Sequence, residues 1–382
     1  MKKNFSILKP HKNFYGSLNL PVYRSSTILF PSFEEYNNAT SGNSIHDVLH
    51  DGITRDYSYN SVGSPTYHYL SQIIAQLEKG KYAIIYPSGL MCLTLASITF
   101  TDNNTHILVP SNVYFRYKNF VNEVLTNNGT TVTFYDPATD ISHLIQQNTS
   151  LIIIESPNST TLEITDISPI AKLARKHNIT TICDNSCAPL LYSPLKYNID
   201  IVMYSLTKYF SGHSDVLMGA IITNNKTLFQ KLCNIYRNFG VFVSPDDCYL
   251  VYRGMKTMHI RMEKCQNTAQ KLALWLQKHK KIKQIIYPSL PSHPQYHIWK
   301  KYCTTGGGGL LNIILHQKYS NDAINAAFNN MKHFGIGASW GGCTSLILHK
   351  HNDSQESYLR IFCGLDDPQD LINDLESSLA KL

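Results

Sequence analysis

Apolar residues fall along the chain in short runs, separated by stretches in which they recur with helical spacing. The runs at 82–86, 105–109, 131–135, 151–155, 180–183, 201–204 and 217–222 suit buried strands and are too short for helices. Helical periodicity covers 66–77, 90–98, 115–126, 141–147, 167–177, 228–238 and 258–277. Strands alternating with helices predict the α/β class, with a mainly parallel seven-stranded sheet covered on both faces. Before residue 60 the chain is rich in Asn, Ser, Tyr and Pro and shows little periodicity, which predicts an extended arm. A boundary near 245 divides a large domain, 61–245, from a smaller α+β domain, 246–382. In the smaller domain the glycines 306–309 lead into a strand at 310–315, and alternation around Arg360 predicts another strand with that arginine on its polar side.

Several strand ends carry polar chemistry. Asp184 follows one apolar run, and Ser205, Thr207 and Lys208 follow the next, where the chain leaves the sheet. Ligands of open parallel sheets collect at such carboxyl ends. A partly desolvated lysine flanked by hydroxyls is suited to Schiff-base chemistry, because desolvation loosens its proton. An aspartate on one strand end and a Ser-x-Thr-Lys on a later one meet three needs of pyridoxal 5'-phosphate: a counter-ion for the pyridine nitrogen, a covalent anchor and phosphate donors. Ser88, Gly89 and Leu90, between a strand and a helix start, add an anion cup of unpartnered N–H groups.

The stretch SLTKYFSGHSDVLMGA, Ser205 to Ala220, resembles the cofactor-lysine signature of the Cys/Met-metabolism family of pyridoxal-phosphate enzymes. The likeness runs from Pro21-Val22-Tyr23-Arg24 to Tyr358-Leu359-Arg360-Ile361. It implies the type I pyridoxal-phosphate fold and an amino-acid substrate. It also implies that Tyr114 stacks on the cofactor ring, that Arg360 clamps the substrate α-carboxylate, and that Ser339 and Trp340 complete the pocket. Glu155-Ser156-Pro157 resembles a family stretch near the ring oxygen, followed by Asn158 and Ser159. Tyr59 is expected to act in a neighbouring subunit's site, so the resemblance implies a homo-oligomer, at least a dimer and by likeness a tetramer. Ser61 stands where the family carries a phosphate-binding arginine, with Arg55 nearby in sequence.

Ser339-Trp340-Gly341-Gly342 looks more like bacterial cystathionine β-lyase than the γ-acting members. The expected activity is therefore carbon–sulfur β-elimination, with L-cystathionine giving homocysteine, pyruvate and ammonia. The rivals are a γ-lyase or γ-synthase, an alanine racemase using the same Lys208, and a degenerate relative that only binds.

The net charge of +7 is spread along the chain and reads as a solvated face rather than a nucleic-acid footprint. Nine scattered cysteines without Cys-x-x-Cys pairs suit reduced thiols in a cytoplasmic protein. No apolar run is long enough for a bilayer span or a secretory leader, so no membrane partner is expected. His349 and His351, with Asp353, sit in what reads as a polar loop and lack a third ligand, so no metal is expected.

Overall fold

The computed structural model describes residues 17–41, 59, 63–303, 305–351 and 357–382. Seven strands build the larger sheet: β1 (Tyr82–Tyr86), β2 (His106–Pro110), β3 (Thr131–Tyr135), β4 (Thr149–Glu155), β5 (Thr180–Asp184), β6 (Ile201–Ser205) and β7 (Gly219–Thr223). Their order is β1-β7-β6-β5-β4-β2-β3. All pairings are parallel except those of β7, which runs against both β1 and β6. The centre of the sheet is buried on both faces, as at Ile152, Ile154, Ile182 and Val202. Each such side chain stabilises the fold by about 1.5–3 kcal/mol relative to exposure. Edge strand β3 is mostly half-exposed, which its alternating threonines permit.

The smaller sheet contains β8 (Ile282–Ile286), β9 (Leu310–Leu315), β10 (Gly335–Ile336), β11 (Leu346–His351) and β12 (Ser357–Phe362), in the order β10-β11-β12-β9-β8. On one face Ile313, Ile347, Leu359 and Ile361 form a core with Leu272, Leu276, Leu371 and Leu375 from helices Met258–Leu276 and Pro368–Leu379. The alternate residue Phe362 packs with Tyr209 from beyond β6, ring centroids 6.1 Å apart. Period-two geometry therefore turns the face bearing Arg360 toward the larger sheet.

Several expectations change. The periodic stretch 141–147 forms only a 3-10 turn, Ser142–Leu144. Asp140 accepts the N–H of Ser142 and Thr149 Oγ1 accepts that of Gln146, so local polar caps close the segment before a second turn forms. Leu217 is 71% exposed and lies outside β7. The expected extended arm contains a helix, Phe33–Ser41. His349 and His351 belong to strand β11 instead of a loop, where His349 Nε2 meets Ser357 Oγ. Arg360 is only 6% exposed: the polar side of its strand is the wall of a cavity, not the surface. Arg55, Ser61 and Asp353 lie outside the described residues.

Candidate active site

A cavity of about 400 Å³ opens where the carboxyl ends of β4, β5 and β6 meet the smaller sheet. On the floor, Glu155 and Asp184 end their strands side by side in register. Asp184 accepts the N–H of Ser186 at 2.9 Å. Burial pushes its carboxyl up, while the Ser186 hydrogen bonds and the charge of Lys208 oppose the shift. Glu155 accepts N–H groups from Tyr114 at 2.8 Å and Ser159 at 2.7 Å, so one carboxylate fixes two loops. Burial, and then the neighbouring Asp184, push Glu155 up to about 7.

Lys208 enters from the turn after β6 and donates to Ser339 Oγ at 3.1 Å. Its Nζ lies 4.4 Å from the centroid of the Trp340 ring. Burial pulls the pKa of the ammonium down, and Arg360 adds to this while Cys187 and Asp184 counteract it. The 339–342 loop seats this closely because Gly341 has φ +83° and a Cβ there would lie 2.6 Å from the Tyr209 nitrogen. Arg360 donates from one Nη to the Ser159 carbonyl at 3.2 Å, with its guanidinium carbon 5.5 Å from the Trp340 ring centroid.

At the opposite end Ser88 caps helix Gly89–Phe100, its Oγ accepting the N–H of Met91 at 3.1 Å. A Cβ at Gly89 would lie 2.9 Å from Ser205 Cβ, so glycine lets the helix start approach Ser205. Ser88, Gly89, Leu90, Ser205 and Thr207 all line the cavity. The Thr207 hydroxyl and N–H both engage the backbone of Met218, so Thr207 also holds the turn together.

Among the expected residues, Lys208, Asp184, Tyr114, Trp340, Arg360 and the phosphate cup share the cavity, and Ser339 reaches it through Lys208. Tyr59 does not line it; that residue is half-exposed and bridges to Thr27. Asn158 is fully buried, and its Oδ1 accepts from Thr160 and Thr161, so it shapes the 156–163 loop. Sequence reasoning did not single out Cys187, Arg116 and Lys350, which also line the cavity. The alternation of β11 opposite β12 is the signal that places Lys350 there.

These residues fit pyridoxal phosphate: a helix start opened by glycine for the phosphate, a buried carboxyl suited to a cationic ring nitrogen, and a desolvated lysine between them. The family model described as Cys/Met metabolism PLP-dependent enzyme matches residues 7–380. The chain is 49% identical over 396 residues, 100% of its length and 98% of the relative's, to a protein named L-alanine/L-glutamate racemase from Wolbachia pipientis wMel. It is 32% identical to cystathionine beta-lyase MetC of Bacillus subtilis, covering 96% of this chain and 93% of that one. Among solved structures, a cystathionine gamma-lyase from Lactobacillus plantarum complexed with L-serine superposes with TM-score 0.85 at 28% identity, covering 96% of this chain and 94% of that one. Fold and site together define a pyridoxal-phosphate enzyme of fold type I. The protein belongs to the Cys/Met metabolism family of these enzymes and acts on amino-acid substrates.

Proposed function

We propose that the enzyme racemises L-alanine and L-glutamate by removing the α-proton and returning one to the opposite face. The observation that carries this reading is the 49% identity, over the whole chain, to a protein named L-alanine/L-glutamate racemase. Bound pyridoxal phosphate supplies the electron sink that acidifies the α-proton. Asp184 holds the ring nitrogen's charge, and Ser88, Gly89, Leu90, Ser205 and Thr207 hold the phosphate. Arg360 orients the α-carboxylate, with its fork already braced by the Ser159 carbonyl. Lys208 is the base: its lowered pKa lets a free amine exist nearer neutrality. Tyr114 is the second proton-bearing group in the cavity, held by the hydrogen bond from its backbone to Glu155. Trp340 and Ser339 position the amine.

L-Alanine incubated with holoenzyme in deuterated water is expected to yield D-alanine carrying α-deuterium, read by chiral chromatography and mass spectrometry. Lys208→Ala is expected to lower this rate by at least 10³-fold, the scale of removing a proton-transfer group. Absence of D-alanine from the wild type overturns the reading.

A second reading, β-elimination from L-cystathionine, is favoured by Ser339-Trp340 and by the 32% identity to a protein named cystathionine beta-lyase MetC. It begins with the same proton removal by Lys208 and differs in that the thiolate leaves from Cβ. Release of pyruvate from L-cystathionine supports it, and release of 2-oxobutyrate indicates γ-cleavage instead.

We also infer a cytoplasmic homo-oligomer, a dimer or a tetramer, from the scattered cysteines and the family resemblance. Tyr59 joins the cavity of the neighbouring subunit, and 61–245 and 246–382 are the two domains. Among the described residues no helix is long and apolar enough to cross a membrane. Mixing Tyr59→Ala and Lys208→Ala proteins is expected to restore part of the activity that each lacks, because a mixed dimer keeps one intact site.

A further inference from the structure

In the β11–β12 pair, Leu348 faces Arg360 and Lys350 faces Tyr358. Cross-strand partners and alternate residues share a sheet face, so Lys350 and Arg360 occupy the same face as diagonal neighbours, about 7–8 Å apart. Both line the cavity. Lys350 is half-buried, and among the described residues no carboxylate pairs with it. Burial, and then the charge of Arg360, lower its pKa. Two cations on one partly dry wall repel each other and lose hydration, a cost that anionic ligands remove.

The lining carries four cationic side chains, Arg116, Lys208, Lys350 and Arg360, against two acids, Glu155 and Asp184. Asp184 is committed to the cofactor ring, and Glu155 to the N–H groups of Tyr114 and Ser159. Lys208 carries the cofactor, and Arg360 satisfies the one carboxylate that every amino acid has. Arg116 is exposed and lies over the Phe115 ring. Lys350 is left without a partner in the reaction of a monocarboxylic substrate.

We propose that Lys350 is a second carboxylate subsite, which binds the side-chain carboxylate of a dicarboxylic amino acid such as glutamate while Arg360 holds the α-carboxylate. A glutamate skeleton carries two carboxylates separated by three carbons, a span that fits between neighbouring long cationic side chains on one sheet face. An ammonium at this place suits a carboxylate whose position varies with chain length, since it binds as a point charge rather than as a fork. The proposal deepens the racemase reading and takes glutamate as a substrate from it.

The test uses holoenzyme and the variants Lys350→Met and Lys350→Arg. In Lys350→Met the ratio of kcat/KM for L-glutamate to that for L-alanine is expected to fall at least tenfold, and Lys350→Arg is expected to recover most of it. Binding is read separately, without turnover, as the thermal shift given by glutarate compared with butyrate. The wild type is expected to favour glutarate, and Lys350→Met is expected to bind the two alike. If glutarate preference depends on Lys350 while neither amino acid racemises, the subsite stands and the racemase reading fails. An unchanged glutarate preference in Lys350→Met overturns the proposal. So does an equal loss for both substrates, which would make Lys350 part of the α-carboxylate clamp. Loss of cofactor absorbance in Lys350→Met overturns it too, by tying Lys350 to the phosphate.

Discussion

Glu155 fastens the backbones of Tyr114 and Ser159 to the strand end beside Asp184, and burial gives it a pKa of about 7 against an ordinary 4.5. Between those values the folded protein holds a proton that the unfolded chain has released. The contribution to stability is therefore present in full below pH 4.5 and is lost as pH rises through 7. Glu155→Gln removes this titration. In cofactor-free protein, the Tm of the variant relative to wild type is expected to become more favourable between pH 5 and pH 8, whatever constant offset the amide adds. A pH-independent difference would show that Glu155 does not titrate in that window. Asp184 and Lys208 were legible in the sequence because Asp184 follows an apolar run directly and Lys208 follows the next one within a Ser-x-Thr-Lys. Glu155 occupies the same kind of position, yet its bracket role depends on the β4–β5 register and on two backbone N–H groups, which no residue identity reveals. Lys350 was hidden for a related reason: the histidines around it read as a loop until β12 supplied the pairing.

At the scale of elements, the strand runs were readable because central strands buried on both faces carry short, mainly apolar runs. The 141–147 stretch was misleading because its periodicity says nothing of Asp140 and Thr149, whose side chains compete for the same N–H groups. Helix Gly89–Phe100 has one polar cap, Ser88, and its first residues, Gly89 and Leu90, line the cavity. Ser88→Ala is expected to cost about 1 kcal/mol of stability through the lost cap. It should also weaken cofactor binding severalfold in a spectrophotometric titration. A lower Tm with unchanged cofactor affinity would confine Ser88 to a capping role. Gly341→Ala sets a Cβ against the Tyr209 nitrogen at a residue with positive φ. A loss of about 1–3 kcal/mol is expected, with activity falling further than cofactor absorbance because Ser339 and Trp340 lose their seat on Lys208.

Across the whole molecule, the cavity belongs to neither sheet alone. Arg360 donates to the Ser159 carbonyl and Asn312 Nδ2 to the Thr160 carbonyl at 2.7 Å, tying the smaller sheet to the loops of the larger, and Lys208 donates to Ser339 in the 339–342 loop. A ligand held between them stabilises both. Added pyridoxal phosphate is expected to raise a single melting transition, by about 2.7 kcal/mol at one hundred times Kd. Two transitions, only one of them moving with cofactor, would contradict that coupling. Borohydride treatment should fix the cofactor on Lys208, as peptide mapping would show, and make the Tm independent of added cofactor.

The ammonium of Lys208 rests on a hydroxyl and a ring brought by the 339–342 loop, which lies far along the chain from the turn that carries the lysine. Its basicity is in effect a gauge of mechanical closure. Were that loop to lift, relief of burial would raise the amine's affinity for a proton, and this would have to outweigh the loss of the Ser339 acceptor and the Trp340 ring, both of which favour the ammonium. Agents that loosen the seating without entering the cavity, such as mild urea, should then shift the pH profile of turnover to higher pH before they unfold anything. The acidity of one nitrogen would report how tightly two halves of a protein are shut.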